Sequence, residues 1–254
     1  MAIKMNKRRS KKSKKDLAKQ LGILLLLALF AVGNYYFDID SFLKLPNSDS
    51  ISLFSQDNYE HIALDDIPEY SDEPYVVVNA NKPDFTQEDL ESDCYEYYSD
   101  LDSLGRCGYT EAMLGTELMP TDKRESISEV KPSGWQNAMY DFVDGEWLYN
   151  RCHLIGFQLT GENANKENLI TGTRYMNVEG MLPFENMIAD YIRETDNRVM
   201  YRVTPIYEGN NLLASGVLME AQSIEDNEIE FCIYAYNVQP GVGIDYATGA
   251  NWEE

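Results

Sequence analysis

Three strand-like runs, residues 198–207, 212–222 and 228–236, follow one another with only short breaks between them. Asn210-Asn211 and Asp226-Asn227 supply the turns. Breaks this short join antiparallel neighbours, because parallel strands need a crossover of a dozen or more residues. An antiparallel meander is therefore expected. Just upstream, apolar residues fall at Phe184, Met187, Ile188, Tyr191 and Ile192, behind Pro183. That spacing is an amphipathic helix with proline in its first turn. Tyr75-Val-Val-Val-Asn79 reads as a further strand, and residues 82–108 as loops or short turns. The sum is an α+β fold with a central antiparallel sheet flanked by helices and long loops.

Charge divides the chain into three parts. The first nineteen residues hold nine Lys or Arg and one acid, Asp16, whereas residues 20–254 carry 12 basic against 42 acidic residues. An apolar run over residues 21–32 follows the basic flank and extends to Phe37. Its length fits a cleavable signal core, with Ala31-Val32-Gly33 as a small-residue cleavage site, while the extension to Phe37 fits an uncleaved membrane anchor. In either case the body is expected outside the cytoplasm, secreted or anchored to the membrane by this segment. Residues 38–74 read as an acidic linker and residues 75–254 as the functional domain. Four cysteines suit that compartment. A Cys94–Cys107 bridge is the simplest of three pairings, and Cys152 and Cys232 read as buried small apolar residues. No CxxC pair is present, which argues against a zinc knuckle or a thioredoxin-type site.

Only two histidines occur, and one of them, His153, lies in the alternating run 147–154. Period two puts Trp147, Tyr149, Arg151 and His153 on one face. A guanidinium beside an imidazole suits phosphodiester hydrolysis. The neutral ring takes a proton from attacking water. The guanidinium forks onto phosphate oxygens. A hard divalent cation, held by as little as one amide oxygen and otherwise by water and substrate, offsets the remaining charge. The strongly acidic body argues against a broad basic surface that holds nucleic acid electrostatically. A local cationic strip or a bound cation is therefore required.

Arg151-Cys-His-Leu-Ile-Gly-Phe157, then Asn168-Leu-Ile-Thr-Gly-Thr173 and Arg174-Tyr-Met-Asn177, resemble the DNA/RNA non-specific endonuclease family. The resemblance runs from about residue 100 to Trp252. It takes in Lys131-Pro-Ser-Gly-Trp135, Met181-Leu-Pro-Phe-Glu185 and Tyr236-Asn-Val-Gln-Pro-Gly241. It implies a ββα-metal nuclease core. The family's block commonly reads Asp-Arg-Gly-His where this chain has Asn150, Arg151, Cys152 and His153. By resemblance His153 is the general base, Arg151 binds phosphate, Asn177 ligates the metal and Glu185 lies near its water shell. Arg174 and Lys131 are expected substrate contacts, with Asn150 and Asn168 in support. The implied cofactor is Mg2+, with Mn2+ or Ca2+ as alternatives. The implied substrates are DNA and RNA, and no protein partner is expected. The rival reading is a non-catalytic, surface-anchored interaction module that retains the nuclease fold.

Overall fold

Cross-strand partners explain the sheet. Tyr201 faces Ala221, which faces Phe231, and Val203 faces Met219, which faces Ile233. All six are fully buried on one face of the sheet. A computed structural model describes residues 67–254. Six antiparallel strands run in the order β1-β8-β7-β6-β3-β2. They are β1 (Tyr75–Val77), β2 (Tyr95–Tyr98), β3 (Thr110–Leu114), β6 (Val199–Ile206), β7 (Gly216–Ser223) and β8 (Glu230–Tyr236). The expected meander is β6-β7-β8. The short helix α1 (Gln87–Leu90) and strand β2 stand where the sequence suggests only loops. Thr86 and Asp89 form a reciprocal capping box that nucleates α1 in polar sequence.

A separate hairpin pairs β4 (Tyr149–His153) with β5 (Leu169–Thr173), with α2 (Phe157–Thr160) in its connection. A π-helical turn, Met176–Met181, then runs directly into α3 (Leu182–Thr195). Two strands followed by a helix make the ββα unit. The strands β9 (Val242–Ile244) and β10 (Asn251–Glu253) complete the fold. Helix α3 buries Phe184, Ile188 and Ile192. The Phe184 ring lies 4.8 Å from that of Phe231 on the buried sheet face. Asn237, wholly buried just past β8, ties the hairpin to the sheet. Its amide donates to the carbonyls of Thr171 and Ala214, and its Oδ1 accepts from the Thr173 N–H.

On the sheet's other face Val78, Leu218, Cys232, Tyr234 and Tyr236 form a cluster against Ile67 and Tyr70. Residues 67–74, which the sequence places in the linker, lie against this face, where Tyr236 donates to the Pro68 carbonyl. The basic flank, the apolar run and the linker as far as residue 66 lie outside the described residues. Among the described residues no helix is long and apolar enough to cross a membrane.

The disulfide expectation is corrected. All four cysteines are free. The Cys94 thiol points to the Glu117 carboxylate at 3.5 Å, while Cys107 is buried and donates to the Lys166 and Leu169 carbonyls. The two sulfurs are committed to different neighbours. Cys152 and Cys232 are buried, as the sequence suggests.

Candidate active site

The ββα unit opens onto a cleft of about 800 Å3. His153, at the end of β4, reaches it while only 6% exposed. Its Nε2 lies 2.8 Å from the Asn163 carbonyl and its Nδ1 3.4 Å from the Arg124 guanidinium. A carbonyl only accepts and a guanidinium only donates. Both partners thus select the tautomer with hydrogen on Nε2 and a lone pair on Nδ1. Burial pushes the ring's pKa down to about 4. The Asn163 carbonyl opposes that shift and the Arg124 charge reinforces it. At neutral pH the ring is an uncharged base.

Asn168 fixes the backbone that follows. It is fully buried, accepts from the Ile155 N–H and donates to the Ile155 carbonyl. Asn150 also lines the cleft, with its Nδ2 buried and without a hydrogen-bond partner among the described residues.

Asn177 and Glu185 project into the same cleft. In an unbroken α-helix eight residues turn through about 800°, roughly 80° beyond two full turns. The wider winding of the π segment takes up that excess and brings both side chains to one side. Gly180 and Pro183 therefore do not separate them. Gly180 sits within the π turn, and Pro183 occupies the first turn of α3, where its missing N–H costs nothing. Glu185 is 8% exposed, and burial pushes its pKa up to about 7 against the opposing Gly156 N–H and Arg124 charge. A Cβ on Gly156 would lie 2.6 Å from a Glu185 oxygen, so any other residue there would force the carboxylate to shift. The Cys152 thiol donates to Asn177 Oδ1 at 3.0 Å.

The cationic residues divide sharply. Arg151 lines the cleft, but its Nε donates to the Val130 carbonyl and its Nη2 to that of Ser128, and it stacks on Trp135 at 4.3 Å. Two of its five donors thus brace residues 128–135 against β4. Arg174 lines the cleft with an ion pair to Asp144. Lys131 is exposed and is not part of the lining. Arg124, which belongs to none of the sequence motifs, donates to the imidazole at 3.4 Å. Sequence spacing gives no sign of this, because 29 residues separate the two. Among the described residues Arg124 and Arg151 are the arginines without a carboxylate ion-pair partner, and both face this cleft.

The donor chemistry suits a hard ion. Asn177 Oδ1 and the Glu185 carboxylate are oxygen ligands at the rim of a hydrated cleft. An arriving cation would displace only a weak thiol donor from Asn177. A nearby positive charge would also return the Glu185 carboxyl to its ionised form. Among the described residues no group of three or more His, Cys, Asp or Glu is placed to hold a metal. Such a set suits an ion coordinated mostly by water and substrate.

Residues 86–225, more than half of the chain, match the profile of the family described as DNA/RNA non-specific endonuclease. A protein named deoxyribonuclease from Streptococcus dysgalactiae subsp. equisimilis is 35% identical over 107 residues. That match covers 40% of this chain and 32% of the relative, so the chain spans about a third of the length of the curated relative it matches. Among solved structures, NucA from Streptococcus agalactiae with magnesium bound superimposes with a TM-score of 0.63 at 23% identity, over 70% of this chain and 87% of that one. The Sda1 nuclease with bound zinc superimposes with a TM-score of 0.63 at 25% identity, over 72% of this chain and 97% of the other. The mixed fold with its large antiparallel sheet is the fold of these nucleases.

Proposed function

Because the chain belongs to the DNA/RNA non-specific endonuclease family, we propose that it is a metal-dependent endonuclease that hydrolyses phosphodiester bonds of DNA, and of RNA, without sequence preference. One observation carries this reading. In a body this acidic, the two described arginines free of carboxylates converge on the cleft that holds a neutral imidazole, whose Nδ1 lone pair meets only the Arg124 guanidinium.

In this reading His153 Nδ1 takes the proton of an attacking water. The Asn163 carbonyl holds the ring in position and stabilises the imidazolium that forms. Arg124 turns its donors to the phosphate oxygens, and Arg151 and Arg174 hold neighbouring backbone. Asn177 Oδ1 and Glu185 are the residues to hold Mg2+, or Mn2+ or Ca2+ in its place. The bound ion supplies positive charge to the phosphate and the departing oxygen. Asn150 and Asn168 keep the hairpin end in shape. The basic flank and apolar run of residues 1–37 support a location outside the cytoplasm, secreted or membrane-anchored.

Plasmid nicking with Mg2+ and with chelator tests the proposal. Wild-type protein should nick only with the ion, and His153→Ala should lose more than ~99% of cleavage with its circular dichroism unchanged, as removal of a general base costs 10²–10⁴-fold. Equal nicking by the variant refutes the assignment of the base. Absence of nicking by the wild type under every divalent ion tried favours the non-catalytic interaction module instead.

A further inference from the structure

Trp147 is 51% exposed and lines the same cleft as His153. A lone exposed indole is ordinary. This one stands on a rigid pedestal. The Tyr140 N–H bonds to the Glu146 carbonyl, Glu146 to Val143, Val143 to Tyr140, and the Leu148 N–H to Ala138. Gly145 and Glu146 both have positive φ, at 72° and 65°, which turns the chain so that Trp147 enters the strand direction facing outward. On the opposite strand the Arg174 N–H bonds to the Leu148 carbonyl, which places a guanidinium-bearing residue beside the indole in the cleft wall.

Resting on the nuclease reading, we propose that Trp147 is a base-stacking platform that makes unpaired nucleic acid the preferred substrate. Three arguments converge. Residues 20–254 hold 42 acidic against 12 basic residues, so the protein's overall field repels phosphates. A contact that does not depend on net charge then adds affinity beyond what the few cleft arginines supply. A base stacked on an aromatic face supplies one, tolerates any sequence and is a common device of single-strand binders. In a duplex the faces of the bases are already stacked on one another. Unpaired segments alone therefore present a face to the indole. Six residues at 3.2–3.4 Å each put Trp147 at most about 20 Å from His153, so a base stacked there lies within a few nucleotides of the cleaved bond.

Steady-state kinetics on a single-stranded oligonucleotide and on its duplex, with Trp147→Ala and Trp147→Phe, test this. We expect Trp147→Ala to raise KM for the single strand by about fivefold to a hundredfold, with a much smaller rise for the duplex, and Trp147→Phe to restore most of the loss. Equal changes on both substrates, or a loss carried by kcat, overturn the proposal. Titration of oligothymidylate in chelator, where nothing is cut, separates stacking from catalysis. Indole fluorescence should fall in the wild type and in Trp252→Phe, whose side chain covers Gly243 away from the cleft, and the fall should be lost in Trp147→Phe. A full fall in Trp147→Phe overturns the assignment even if the protein proves to be an active nuclease. A fall confined to Trp147 supports it even if cleavage fails.

Discussion

At the scale of the residue, the environment of His153 sets when it works. A free imidazole titrates near 6.5, so the sequence suggests activity fading as pH drops below neutrality. The buried ring beside Arg124 has its pKa pushed down to about 4. The base form dominates above that value and is lost as pH falls through it. Rates measured from pH 8 downward should therefore show no histidine-dependent decline near 6.5, with loss setting in toward pH 4. Glu185, pushed up to about 7, titrates in the same range, so only a fall near 6.5 that persists in Glu185→Gln would mean that the ring is better solvated than its 6% exposure indicates. The family resemblance pointed to His153, Arg151 and Asn177, and all three line one cleft. Arg124 was not legible in the sequence, because its role depends on where a long loop returns. Lys131 failed in the opposite way. It lies in a matching segment, yet it faces solvent rather than the cleft.

At the scale of the element, legibility followed pattern strength. The β6-β7-β8 meander and α3 were readable because apolar spacing and turn residues agreed. Strand β5 was missed. Leu169-Ile-Thr-Gly-Thr173 is buried at every position, so it has no alternation to detect, and its interior glycine reads as a turn. The π turn was equally invisible, since local sequence does not announce one extra residue per turn, yet it is what aligns Asn177 with Glu185. Asn177→Ala should move the Mg2+ concentration for half-maximal nicking upward. An unchanged titration would remove the amide from the ion's shell. Gly156→Ala tests the close approach of α3 to the β4 end. The backbone there is ordinary, at φ −60° and ψ 143°, so the only conflict is the methyl group against the Glu185 carboxylate. Overpacking of this kind costs about 1–3 kcal/mol. A lower melting temperature together with weaker nicking is expected, and wild-type values for both would show that the carboxylate moves aside freely.

At the scale of the whole molecule, net charge and composition excluded a broadly basic nucleic-acid surface, and the structure gives the local solution. Five of the described arginines spend their charge on carboxylates, among them Arg202, which joins Asp89, Glu111 and Glu220 behind the sheet. The two described arginines left over, Arg124 and Arg151, face one cleft, while lysines such as Lys131 stay in solvent outside it. Sequence alone could not foresee this partition, because ion pairs such as Arg106 with Asp102 and Arg174 with Asp144 are settled only by the fold. The four unbridged cysteines carry a last consequence. No covalent cross-link within the described domain narrows the denatured ensemble, so its stability has to come from burial and hydrogen bonding in the folded form. Dithiothreitol should leave the melting temperature where it is, and a drop would reveal a bridge formed in solution. A domain built this way needs no cross-link to hold its native form.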